Sequence, residues 1–595
     1  MLMRIFLACV LSLSAAWWSP VQAHGGKEHG VPTLAAPAAA TAPDAGPPAA
    51  TAAESSAPAD SAEAPPTPGP AAPSAAAAEA PAENVMVHEG LPREWVQGAT
   101  GVMGLIGLWA LFAGAAGDAP ARSLNLAQLP GLGGVVRFLN RSPYPLLAAR
   151  LASVSVFLFV IAAGFFGTVH PEHNIATAFV WNIWWPLVIV AVFFIGSAWC
   201  AICPWDTLAS WIVRRSWWKR VAPHPGLNLK VPRYLQNVWI ALLMFMGLSW
   251  LELGAGVTGR PMLTAALGVV MLVLSIVFLL VFERKAFCRY ACPVGRTVGF
   301  YSRLSPIEVR PLQQSTCDSC KTLECFHGSR QIEPCPSKLV VGRFSENSFC
   351  LSCGNCVLSC PSQNVSWRVR TMDTEAKKAG TPGWDSAWFM LALLGITSFH
   401  GITMIPQWGE WLADMARFTG ETGSLFFSFA TGMLASSALP VAVYAAAIWL
   451  VQVGGGQGAA SYKKLFGGFA FTALPLAFAY HLAHNMDHLL GEGGDVLRVL
   501  ANPFGWGLAP LTGAERHAIM MQQVVPETVM FALQTGFIVL GFWLAVQIAR
   551  YQARKLIAAD RVADRVKKML PLIGFFAAVT AANLWLLAQD MEMRF

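Results

Sequence analysis

Ten apolar runs divide this chain, near 98–117, 145–167, 179–199, 235–254, 262–282, 387–405, 424–453, 465–486, 529–549 and 569–589. Each is close to the roughly 20 residues that cross a bilayer as a helix. One long polar stretch, 283–386, separates the fifth run from the sixth. The pattern predicts an all-α polytopic membrane protein of about ten transmembrane helices, five on each side of a small insert. The two halves share no visible sequence repeat.

The residues ahead of the first run read differently. Arg4, the apolar stretch Ile5 to Ala16 and the small-residue site Val21-Gln22-Ala23 have the order of a secretory signal peptide over 1–23. Residues 24–97 follow as a histidine-containing start and an Ala/Pro-rich tether, a composition that cannot bury a core. The divisions after that are 98–282, a first five-helix membrane domain, 283–386, the insert, and 387–595, a second five-helix membrane domain. A new amino terminus at His24, with His29 near it, could hold copper, although a polar tail accounts for both residues.

Composition agrees with a membrane chain. Only 13% of the 595 residues are charged and the mean hydropathy is +0.48, against about 25% charged in soluble domains. The net charge of +7 does not point to nucleic acid, because the basic residues lie in loops between apolar runs. Of the 40 Lys and Arg beyond residue 23, 33 fall in or beside the loops near 118–144, 200–234, 283–386, 454–464 and 550–568, with Arg150 at a helix mouth included. The positive-inside rule then places these loops in the cytoplasm of a bacterial inner membrane and both termini in the periplasm.

The insert carries the clearest chemistry. Its cysteines run Cys317-x2-Cys320-x4-Cys325-x9-Cys335-Pro and then Cys350-x2-Cys353-x2-Cys356-x3-Cys360-Pro. The second run is the bacterial ferredoxin run, and in two-cluster ferredoxins the fourth cysteine of each run serves the other cluster. This predicts two [4Fe–4S] clusters in a ferredoxin-like domain. One is held by Cys317, Cys320, Cys325 and Cys360, the other by Cys335, Cys350, Cys353 and Cys356.

Two further motifs close apolar runs on the same side: Cys200-Ala-Ile-Cys203-Pro and Cys288-Arg-Tyr-Ala-Cys292-Pro. Thiols at such places can ligate metal, exchange electrons or pack. Cys200, Cys203, Cys288 and Cys292 are therefore candidate redox or metal residues. Apolar helices with Cys-Pro motifs, followed by a ferredoxin insert, resemble the membrane polyferredoxins of the NosR/NapH/CcoG group over about residues 140–370. The resemblance implies electron transfer between the quinol pool or cytoplasm and periplasmic enzymes that reduce nitrous oxide or nitrate, or copper handling in oxidase assembly. The first motif departs from that group, with two residues between its cysteines instead of three.

Histidines mark the other side. His481, His484 and His488 stand at i, i+3 and i+7 on one helical face, and His400 lies near the end of the sixth run. His170 and His173 lie just beyond the second run. Ionisable residues in a membrane segment usually mark a path or a site, and imidazole suits haem iron and copper. The first four histidines are candidate ligands of haem b or copper.

The expected function is that of an iron–sulfur electron carrier, an oxidoreductase-type protein of the inner membrane. Its partners would be the quinone pool or a cytoplasmic donor on one side, and a periplasmic redox enzyme or maturation factor on the other. A bilayer core of about 30 Å is too wide for one tunnelling step, so a centre near the periplasm is expected. The alternative is a copper or other metal reductase-transporter or chaperone with regulatory clusters, whose metal path would include Met591 and Met593.

Overall fold

The computed structural model describes residues 86–112, 123–215, 221, 225–378, 382–455, 460–520, 525–557 and 562–593. The expected signal peptide, His24, His29 and nearly all of the expected tether lie outside these residues. The chain is mostly helical. Its principal helices are α1 (Arg93–Phe112), α2 (Tyr144–Phe166), α3 (Ile175–Arg214), α4 (Trp239–Leu253), α5 (Pro261–Val281), α6 (Pro293–Tyr301), α7 (Trp384–Ile402), α8 (Pro406–Thr419), α9 (Phe426–Gly455), α10 (Tyr462–Glu492), α11 (Glu527–Leu556) and α12 (Val562–Leu587). Five short strands accompany them: β1 (Met86–His88), β2 (Ser123–Asn125), β3 (Ile307–Pro311), β4 (Val365–Arg370) and β5 (Met591–Met593).

Seven helices are long and apolar enough to cross a membrane: α2, α3, α5, α9, α10, α11 and α12. The other three expected spans differ from the sequence reading. The run at 98–117 falls on α1, which packs on α11 and α12 but does not meet the criterion for a span. The run at 235–254 becomes α4, whose 15 residues cover only about 22 Å. The run at 387–405 becomes α7, which turns by 99° into α8. Thr403 caps its end, bonding the His400 carbonyl at 2.7 Å, and Pro406 opens the next helix.

Helix α10 forms the centre of the bundle. Every residue from Leu465 to Met486 is buried, against α3, α7, α11 and α12. A helix that is apolar all round must be enclosed on every side, and the histidines it carries are enclosed with it.

The five loops expected on one side do gather at one end. In the 118–144 loop, β2 pairs antiparallel with β4 of the insert, giving a sheet of order β2-β4-β3. Arg214 pairs with Glu333, Gln552 reaches the Ala376 carbonyl at 3.4 Å, and Lys568 the Gly455 carbonyl at 3.5 Å. At the other end of α7, β1 pairs antiparallel with β5, setting His88 opposite Met591.

A buried ion network fixes the insert to the bundle. Glu375, 1% exposed, accepts from Arg370 at 2.9 Å and Arg303 at 3.2 Å. Glu308 accepts from Arg368 at 2.7 Å and Arg370 at 3.0 Å. Burial alone would raise the Glu308 pKa, but Arg310, Arg370 and Arg368 outweigh it and hold the carboxylate below its usual value. A carboxylate depressed on folding stabilises above its unfolded pKa, and that contribution is lost as the pH falls through the folded value. Glu375→Ala removes the carboxylate shared by Arg303, Arg310 and Arg370, leaving these buried arginines only Glu346 and Glu308, and is expected to cost about 3–5 kcal/mol. Urea-induced loss of insert structure, compared with Glu375→Gln, measures it; an unchanged midpoint would show the network to be idle.

Candidate functional site

The insert arranges its eight cysteines in two sets. Cys325 lies within electrostatic reach of Cys317, Cys320 and Cys360. Cys335, Cys350, Cys353 and Cys356 line a single cavity together with Val341, Leu339 and Phe344. Each set thus draws cysteines from both runs. The irregular x4 spacing is absorbed by Leu323, whose φ of +50° turns the chain into a short helix, Glu324–His327, that carries Cys325.

Backbone and amide N–H groups face the sulfurs. Asn364 donates from its side chain to Cys317 and from its backbone to Cys360, both at 3.4 Å. Leu339 donates to Cys335 at 3.3 Å and Ser352 to Cys350 at 3.4 Å. Burial pushes the thiols of Cys335, Cys350, Cys353 and Cys356 up. Thiolates there call for bound cations, which iron provides while releasing the protons.

The two Cys-Pro motifs meet. Cys203 ends one helical segment and Pro204 starts the next; Cys292 caps α6, accepting the Gly295 N–H at 3.3 Å, and Pro293 starts it. Cys288 sits in a π-helical segment, Phe287–Ala291, of a kind often found at functional sites. Cys288 is within electrostatic reach of Cys292 and Cys203, and Cys200 of Cys292. Burial pushes the Cys292 thiol up to about 11.

Arg296 shows what this set is built for. The side chain is fully buried. Its Nε donates to the Cys288 carbonyl at 3.1 Å and its Nη1 to the Ser348 carbonyl at 2.7 Å, while Nη2 has no partner. Burial lowers its pKa, and the sulfurs of Cys200, Cys292 and Cys288, when ionised, are what oppose this. A buried guanidinium needs an anion, and four thiolates around an iron–sulfur cluster supply one.

The membrane-edge set adjoins the cavity set. Ser197, three residues before Cys200, donates to the Cys350 carbonyl at 2.6 Å. Phe349 lies under Arg296 at 4.9 Å. Cys356 is in turn within reach of Cys325, so the cavity set lies next to each of the other two.

At the far end, the structure brings His400, His484 and His488 together, with ligand atoms all within 4.8 Å of one another. It does not bring in His481, whose Nδ1 lies 3.1 Å from the Tyr301 hydroxyl. His173 turns its Nε2 to the Ala509 carbonyl at 2.9 Å. Sequence reasoning missed Arg296 and Ser197. The available signal for Arg296 was a charge placed three residues after the proline of a Cys-Pro that closes an apolar run.

Comparison with known proteins bears on the membrane-edge set. A family model described as a 4Fe-4S binding domain matches twice, at residues 177–221 and 264–308. The first match contains Cys200 and Cys203 and the second Cys288 and Cys292. The chain is 28% identical over 132 residues to the Escherichia coli protein named "Putative electron transport protein YccM", covering 21% of this chain and 34% of that one. It is 23% identical over 191 residues to an uncharacterized protein of Methanocaldococcus jannaschii, covering 32% of this chain and 71% of the other. The match thus spans about a third of the first relative's length. No solved structure matches the chain. Taken with the helices, the family matches describe an iron–sulfur protein whose apolar helices could cross a membrane.

Proposed function

We propose that this chain is an electron carrier of the bacterial inner membrane, similar in role to the NosR/NapH group. It moves electrons from the quinol pool or a cytoplasmic donor toward a periplasmic redox enzyme or the maturation of its cofactor. The insert faces the cytoplasm in this reading, in line with the basic residues of the loops gathered around it. The observation that carries the proposal is the adjacency of three cysteine sets, one of them at the membrane edge.

Each set fits a [4Fe–4S] cluster, giving three where the cysteine runs of the insert alone predict two. The clusters, when bound, supply one-electron redox chemistry. The chain's own residues hold them in order. Ser197 ties the membrane-edge loop to the Cys350 loop, Arg296 balances charge, and the Asp206–Lys285 ion pair lies against Cys288, whose thiol is 3.7 Å from Asp206.

Proteoliposomes with a membrane-impermeant acceptor inside and reductant outside test this function. Cys288→Ser is expected to stop acceptor reduction while the spectra of the insert clusters persist. Full transfer by this variant would remove the membrane-edge set from the route.

A second reading, a copper or other metal transporter or chaperone with regulatory clusters, is favoured by the histidine trio. Metal uptake into the same vesicles without reductant would select it.

A further inference from the structure

We infer that His400, His484 and His488 form a mononuclear transition-metal site at the end of the bundle opposite the cysteine sets. His484 carries the argument. It is 2% exposed, and neither of its ring nitrogens has a hydrogen-bond partner. An imidazole stripped of water and left without partners is costly. Two more imidazoles lie against it, with ring centroids 4.8 Å away for His400 and 5.1 Å for His488. A bound cation satisfies a nitrogen on each ring at once.

The surroundings suit a cation. His488 Nδ1 lies 3.0 Å from the Glu492 carboxylate, the carboxylate–histidine arrangement that orients a metal-bound imidazole and leaves Nε2 for the ion. The carboxyl groups of Asp487 and of the buried Glu252 lie near His488. The chain passes into a π-helical segment, Asp487–Glu492, at this point, which places His488 beside His400 on α7. Three imidazoles converge, whereas haem iron offers only two axial positions. The trio therefore fits a bare ion with an open coordination position better than it fits haem. Copper, iron and zinc all accept imidazole.

A line of rings leads toward this site from the sulfur end. Trp199, next to Cys200, lies 5.8 Å from Trp184; Trp184 lies 6.0 Å from Trp185; and Trp185 lies 5.8 Å from His481. His484 follows one helical turn later. Service of the ion as an electron terminus rests on the proposed function; the metal site itself does not.

The test is metal analysis of the full chain, purified without a histidine tag. About one copper, zinc or non-cluster iron per chain is expected, and it should be lost in both His400→Ala and His484→Ala. His481→Ala should keep it, because His481 faces Tyr301. Acid-labile sulfide, which equals cluster iron, separates the sources: iron in excess of sulfide marks a mononuclear ion, and unchanged sulfide shows that each variant still folds. Copper or iron at the site is compatible with an electron role, and zinc excludes that role while establishing the site. No such metal in the purified chain, or after adding Cu²⁺, Zn²⁺ or Fe²⁺ alone, overturns the inference. Full retention in both His400→Ala and His484→Ala does the same.

Discussion

Cys356→Ser should lower the iron of the purified chain from about twelve to about eight per molecule, since each cubane holds four irons on four thiolates. Cys356 belongs to the cavity set, and the other two sets keep all their ligands. Low-temperature EPR of the reduced protein should lose one spin system and its magnetic coupling to the neighbours. Electron transfer should fail almost completely, because the missing centre is the one that lies next to both others. Two results would count against this. Unchanged iron in the variant would mean that Cys356 is not a ligand, and about eight irons in the unaltered protein would mean that the membrane-edge set holds no cluster.

Arg296→Met is expected to remove the membrane-edge cluster alone. The guanidinium is fully buried beside Cys200, Cys288 and Cys292, and stranding the opposite charge of a buried pair costs about 3–5 kcal/mol. A cluster with its four thiolates is a net anion, so losing its countercharge should empty the site and reduce iron to about eight per chain. Arg296→Lys keeps the charge but cannot reach both the Cys288 and Ser348 carbonyls. It should retain iron and change the midpoint potential of that centre. Full iron and unchanged EPR in Arg296→Met would show that the arginine serves only to pin the loop at Ser348.

Much of this architecture was legible because each signal is local in sequence. The ten apolar runs all land on helices, since a stretch long enough to span a bilayer needs no partner to be recognised. The grouping expected of the insert cysteines rests on spacing alone. What the sequence could not show depends on packing between distant segments. Cys200 and Cys288 lie far apart along the chain, and only the approach of α3 to the loop before α6 joins them. The i, i+3, i+7 pattern put His481 with His484 and His488, as a regular helix would. The π-helical segment after Met486 and the bend after α7 instead favour His400, and His481 is drawn to Tyr301 on α6. The length of α4 was also misjudged, because the residues ahead of Trp239 stay outside the helix.

The pairing of β1 with β5 sets an order of events in biosynthesis. Met86–His88 leaves the ribosome hundreds of residues before Met591–Met593 exists. The first described segment must therefore wait, inserted or tethered, until the last one arrives to pair with it. Leu91 likewise depends on the end of α12, donating its N–H to the Leu587 carbonyl at 2.7 Å. The bundle is thus closed by its final residues, much as a ring is closed by its clasp. A chain stalled or cut shortly before Met591 would hold every cysteine set and every histidine of the trio, yet leave β1 and His88 unfastened.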